Sequence, residues 1–141
     1  VDTFSRNEGS LVLRVDVQGD SVLLTGDIGE GVEKELLRSE KALRAFLLKV
    51  AHHGSQGSSS ASFLRAVAPD VSILSAGCRM GSGLPSAEAL HRLREASGRL
   101  FWTGREGAIL VPLGEGRSVN ESRSYGLRAR RCEEPMELKD Q

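Results

Sequence analysis

From Leu11 to Gln18 apolar and polar residues alternate. Leu11, Leu13, Val15 and Val17 fall on one side, and Val12, Arg14, Asp16 and Gln18 on the other. That spacing predicts a strand with one wet face. Gln18-Gly19-Asp20 reads as a turn, and "SVLLTGD" after it is apolar on both faces, as an interior strand paired with the first would be. From Gly31 to about Phe46 the period lengthens, and Val32, Leu36, Leu37, Leu43 and Phe46 line one side of an amphipathic helix. "FLLKVAHHG" returns to strand. "SSASFLRAVA" predicts a short helix capped by Ser59 or Ser60 and stopped before Pro69. "DVSILSAG" is a further buried strand, and "GLPSAEALHRLREASG" a helix opened by Ser86 and closed by Gly98. "RLFWTGREGAILVPL" reads as a terminal hairpin turning at "GREG".

The order β-β-α-β-α-β-α-β-β predicts an α/β fold, a mixed sheet with covering helices. Residues 1–114 are expected to form the folded part. After Gly114 apolar periodicity stops, so residues 115–141 are expected to be a disordered polar tail or linker. Its arginines suit either simple solvation or contact with nucleic acid.

Composition narrows the function classes. Lysine plus arginine and aspartate plus glutamate both number 19, so bulk charge argues against a strongly basic nucleic-acid binder. Any polyanion would have to be met by a local patch or through bound metal. Cys78 and Cys132 lack C-x-x-C spacing, which excludes a zinc cluster and leaves one disulfide or two free thiols. The best apolar run, "AFLLKVA", is too short to span a membrane and is interrupted by Lys49. The first residues have neither the basic nor the apolar region of a signal peptide. They begin without Met, as a piece of a longer chain would, and the piece itself is expected to be soluble.

Candidate chemistry gathers at strand ends. The 141 residues hold three histidines, two of them adjacent at His52-His53. Asp27 ends one interior strand and the histidine pair ends the next. A right-handed crossover between parallel strands brings such ends to one edge of the sheet. Carboxylate and imidazole together suit zinc, manganese or iron. Taken singly, Asp27 is also a good cap for the turn at Gly29, and His52 a good hydrogen-bonded strand end. In "SQGSSSASF" hydroxyls and backbone N–H groups meet at a helix N-terminus, which favours anions. Ser55, Ser58 and Ser59 are the phosphate-binding candidates, plain capping being the other reading. No G-x-S-x-G elbow surrounds Ser55 or Ser75, and no nearby acid is placed to orient His52 or His53, which argues against serine hydrolase chemistry. His91 sits between helix charges as a surface residue would, and Cys78 follows another strand end.

"NEGSLVLRV", "SVLLTGDI", "LLKVAHHGSQGSSS", "VSILSAG", the G-x-P helix start and "LFWTGREGAI" together resemble the second half of a metallo-β-lactamase-type domain. The version resembled is that of ComEC-type DNA-internalisation competence proteins. The likeness covers roughly Asn7 to Leu113. It implies half of a four-layer αββα sandwich and metal-assisted hydrolysis of a phosphodiester with two divalent ions, zinc or manganese. It assigns Asp27 as the carboxylate shared by the ions, with a catalytic role. His53 becomes a metal ligand, and His52 the catalytic group facing substrate.

The same resemblance implies single-stranded DNA as substrate, a membrane channel elsewhere in the parent, and an extracytoplasmic position in a bacterial membrane protein. It also exposes two departures. The H-x-H-x-D-H motif that supplies most ligands in that family has no counterpart here, so the fragment is expected to bind metal weakly and to be inactive alone. Leu84 stands where that family carries a histidine between the glycine and the proline. Half of a sandwich would bare a sheet face around Leu11, Leu13, Val22 and Leu24, open to the missing N-terminal half or to a second copy. Other hydrolases of the same fold, such as a phosphodiesterase or phosphocholine esterase, and a non-catalytic binding module remain alternatives.

Overall fold

β1 (Leu13–Val17) and β2 (Asp20–Leu24) pair antiparallel across Gln18-Gly19, both of which take the positive φ that a tight hairpin turn requires. The computed structural model describes residues 6–39, 42–78, 83–114, 123–125 and 132. Three crossovers follow. Helix α1 (Glu30–Arg38) leads to β3 (Leu47–Lys49), α2 (Ala61–Val67) to β4 (Val71–Leu74), and α3 (Ala87–Ala96) to β5 (Arg99–Trp102). Each of these strands is parallel to its predecessor, in the order β1-β2-β3-β4-β5. Right-handed crossovers stepping in one direction put every helix on the same face of the sheet.

Register decides which residues meet those helices. Leu23, Leu48 and Ser72 lie side by side, as do Leu74 and Trp102, and the leucines and Trp102 join Ile28, Phe63, Leu64, Val67 and Leu93 in the main core. The other face carries Val22, Leu47, Val71, Ile73 and Phe101. Phe46, Ile109, Val111 and Leu113 cover its β4–β5 end. Toward β1 that cover stops, and Leu11, Leu13 and Leu24 are 80%, 45% and 38% exposed. The apolar side of β1 is thus the bare one, while Val12 on its other side packs toward the main core.

Two expected elements take a different form. The helix predicted from Gly31 to Phe46 ends at Arg38, where the Ser39 N–H bonds Glu35 O and its hydroxyl bonds Leu36 O. Phe46 shares the helical spacing by coincidence. Its carbonyl accepts from Val71 N as the chain enters β3, and its ring packs on the face away from the helices. The terminal hairpin at "GREG" does not form either. β5 is committed to β4, and Thr103–Glu106 makes a single helical turn, α4, stapled by Trp102 N donating to Glu106 Oε1 at 3.1 Å. β6 (Ala108–Leu110) instead pairs antiparallel with β7 (Arg123–Tyr125) in a separate two-stranded sheet. The polar stretch 115–141 therefore contributes β7 and the buried Cys132, and its remaining residues lie outside those described.

Leu64 is fully buried between sheet and helices, whereas Leu110 in β6 is 58% exposed. Leu64→Ala is expected to lower unfolding free energy by about 3 kcal/mol in urea denaturation, by lost burial plus the cavity left behind. Leu110→Ala should change it by less than about 0.5 kcal/mol.

Candidate metal centre

Four parallel strands end at one edge, and each hands over a short loop there: Thr25-Gly26-Asp27, Ala51–Gly54, Ser75-Ala76-Gly77 and Thr103-Gly104. Thr25 is fully buried and donates to Lys49 O at 2.7 Å, tying the first loop to the second. Gly26 takes a φ of +57°, and a Cβ there would stand 2.8 Å from Ser10 Cβ, so only glycine lets the chain turn Asp27 outward. Asp27 N then donates to Ser10 Oγ at 3.1 Å, and His52 N to Gly26 O at 3.1 Å.

The histidine turn is strained by design of its surroundings. His52 and His53 both adopt left-handed φ, at 45° and 53°, and Gly54 follows at 77°. Such a run persists only where neighbouring contacts over-determine it. Here Ser55 N bonds His52 O, Ser58 Oγ donates to Ala51 O and Ser55 O, and Gly54 packs against Pro85 and Leu74.

The turn separates the two rings, whose centroids lie 6.5 Å apart. His53 Nδ1 lies 2.7 Å from Ser75 O, and because a carbonyl only accepts, Nδ1 carries the proton. In the neutral ring that leaves the lone pair on Nε2, which stands 3.9 Å from Asp27 Oδ1. An ion with bonds of roughly 2.0–2.2 Å spans such a gap, and a ligand histidine ordinarily anchors its other nitrogen in this way. The two residues fit a metal ion, although no group of three or more possible ligands occurs among the described residues. His52 turns aside, with Nε2 3.2 Å from Asn7 Nδ2. An open cleft of about 570 Å³ beside His53 is lined also by Ser75, Gly77, Leu84, Thr103 and Gly104. Leu84, at the position of departure from the family pattern, thus faces the same space as His53. Lys49 Nζ bonds Val50 O at 2.8 Å; burial pushes its amine down, and the nearby Asp27 carboxylate opposes that shift.

The serines behave differently from an anion seat. Ser58 and Ser59 are buried, and Ser55 is half-buried. The N–H groups of Ser59 and Ser60 at the start of α2 are taken by the carboxylate of Glu33, itself fully buried in α1. Arg92 of α3 takes the carbonyls of Gln56, Ser58 and Ser59 at 2.9–3.0 Å, and Ser60 caps α2 through Phe63 N. The protein's own side chains thus take these backbone N–H and carbonyl groups, while the buried Ser59 hydroxyl has no hydrogen-bond partner among the described residues. Neither Ser58 nor Ser59 offers a hydroxyl to solvent. Glu33, Asn7, Ser10 and the Ser75 carbonyl were not singled out by the sequence. His91 is exposed on α3, away from these loops.

The chain belongs to the metallo-beta-lactamase superfamily, whose family model matches residues 3–78. Within it, the chain is similar to ComE operon protein 3 of Bacillus subtilis, at 36% identity over 108 residues, 77% of this chain. It is similar also to competence protein ComA of Neisseria gonorrhoeae, at 35% over 111 residues and 78% of the chain. Recombination protein 2 of Haemophilus influenzae matches at 34% over 111 residues and 79% of the chain. The chain spans only 14%, 16% and 14% of the length of these relatives.

Glu33 yields a test of how the loop is held. Glu33→Ala strands two buried N–H donors and is expected to destabilise the fold by about 3 kcal/mol in urea denaturation. Glu33→Gln, which keeps one acceptor oxygen, should lose visibly less.

Proposed function

We propose that this chain is part of a metal-dependent, nuclease-like phosphodiesterase domain serving DNA uptake, and that it is inactive alone. The observation that carries the reading is the His53 ring, anchored through Nδ1 to Ser75 O so that Nε2 faces Asp27 across 3.9 Å. The similarity to ComE operon protein 3 and to competence protein ComA supports a competence-related setting, which DNA uptake would fit. Asp27 and His53 would hold one or two divalent ions, zinc or manganese. Such ions, when bound, activate water and neutralise charge on phosphodiester oxygens. Asp27 then serves as a ligand whose direction Gly26 and Ser10 set, and His52, held by Asn7, as the group nearest the substrate. Ser55, half-buried beside the turn, is the one serine of the loop's phosphate candidates left to reach a phosphate.

A full ligand set needs more side chains than these two, and the proposed partners follow from that. They are the N-terminal half of the same domain, single-stranded DNA, and a membrane channel elsewhere in the parent. No helix among the described residues is long and apolar enough to cross a membrane. We place the domain on the extracytoplasmic side, where incoming DNA would meet it. A non-catalytic binding module is favoured by one observation, Leu84 lining the cleft in place of a polar group.

The decisive experiment uses the full-length protein with manganese or zinc and single-stranded DNA. Cleavage is expected, and Asp27→Ala or His53→Ala should each reduce it by more than the roughly 100-fold seen when a group that merely hydrogen-bonds a metal ligand is lost. Cleavage that survives Asp27→Ala sinks the reading. No cleavage by an intact, metal-loaded protein favours the binding module.

The isolated chain should show no cleavage and should self-associate through the face bearing Leu13 and Leu24. Light scattering at rising concentration is expected to give a mass above the monomer's, returning to monomer in Leu13→Lys/Leu24→Lys. A monomer at every concentration refutes the self-association.

A further inference from the structure

Cys78 and Cys132 are joined as a disulfide, 54 positions apart in sequence. Cys78 closes the loop that leaves β4, three residues after Ser75, whose carbonyl orients the His53 ring at 2.7 Å. The same loop is gripped from β5 and α4: Ala76 N donates to Thr103 Oγ1 at 3.2 Å, and Trp102 Nε1 donates to Ala76 O at 2.8 Å. Arg105 stacks over the Trp102 ring at 4.8 Å and donates to Cys132 O at 3.0 Å. Cys132 is buried with the main core. The disulfide therefore ties the C-terminal segment to the one loop that is shared by the cleft and by the anchor of His53.

We propose that Cys78–Cys132 is a redox-responsive clasp on the candidate metal centre: when oxidised it holds the Ser75–Cys78 loop in the position that aims His53 at Asp27, and when reduced it releases that loop. The proposal rests, for its effect on metal, on the reading of His53 as a ligand. A bond of this kind persists in oxidising compartments and opens in reducing ones, so the clasp is closed where the domain meets incoming material outside the cytoplasm and open in a reducing cytosol. In closing, two S–H bonds break and one S–S bond forms. Two electrons and two protons pass to a disulfide oxidant of the glutathione or thiol-oxidoreductase class, which leaves as two thiols. A dithiol reductant reverses the step.

The test uses full-length protein, alkylated at once on isolation and mapped without reductant. The Cys78 and Cys132 peptides are expected to remain linked. On reduction with dithiothreitol, the Ala76 amide should exchange its hydrogen faster, and the dissociation constant for Zn²⁺ alone should rise by about tenfold, the scale on which loss of a ligand's hydrogen-bond partner acts. The Cys78→Ser/Cys132→Ser variant should match the reduced protein in both readouts. Alkylation of both cysteines without reductant overturns the proposal. So does a reduction that leaves exchange and zinc affinity unchanged, and so does faster exchange with unaltered zinc affinity in a protein that loses zinc with Asp27→Ala. If Asp27→Ala binds zinc as the parent does, the metal reading itself has failed. The reduction-dependent exchange at Ala76 then decides the clasp alone, its presence supporting it and its absence refuting it.

Discussion

The carboxylate of Glu33, buried in α1 with no exposure to solvent, holds the N–H groups of Ser59 and Ser60. Much of the site hangs from that grip. A buried carboxylate is tolerated only when its hydrogen-bonding capacity is met, and buried backbone donors make the same demand. Each satisfies the other, and Arg92 disposes of the carbonyls that this leaves pointing outward. The loop is consequently rigid without any regular structure of its own. Rigidity is what the adjacent turn needs, because two successive left-handed histidines relax unless the chain on either side is fixed. A helix residue 20 positions upstream of His53 (53 − 33) thus helps aim an imidazole it never touches.

The sheet supplies the other half of the arrangement. Parallel strands all present their C-terminal ends at one edge, so Asp27, His53, Ser75 and Thr103 meet although the chain separates them widely. Among the described residues antiparallel pairing is confined to β1–β2 and to the small β6–β7 sheet. The helices cover one face, while Phe46, Ile109, Val111 and Leu113 cover the β4–β5 end of the other and leave its β1 end bare.

How much of this the sequence revealed depends on where each residue's role resides. The meeting of Asp27 and His53 at one edge was legible because strand alternation located two neighbouring strands, which end at Leu24 and Lys49, and connection handedness put their ends together. Glu33 was not, since in "EGVEKELLR" it looks like any surface acid of a charged helix; only the packing of α1 against α2 turns it inward. Ser75 could not be found because its carbonyl acts, and a carbonyl is common to every residue. The serine run was legible as a cap, but the sequence could not show that the N–H groups of Ser59 and Ser60 are taken by a side chain distant in sequence. "GREG" shows the same weakness in another form. Glycines flanking two charges suit a hairpin turn, but the Thr103 hydroxyl and Trp102 indole bind the β4 loop and wind the segment into a helical turn. Phe46 fell in with a helix because apolar spacing cannot register that strand pairing will claim it.

The bare sheet face and the short ligand set share one border. Lys49 projects from the same face as Leu24, its register partner, and lies close enough to Asp27 for the carboxylate to affect its amine. A half-buried ammonium on an otherwise apolar surface is disfavoured by desolvation, and more so if that surface is covered further. Covering it is tolerable only if a counter-charge remains beside it, and Asp27 is the carboxylate in place to serve. On the metal-site reading Asp27 is therefore drawn in two directions, by Lys49 beneath and by cations at the rim. On the same reading, a segment that brings further ligands to the rim and also lies across Leu13 and Leu24 would do both at once. Completion of the site and burial of the face would then be a single event, in which the apolar area gained helps to offset the repulsion between Lys49 and the incoming cations.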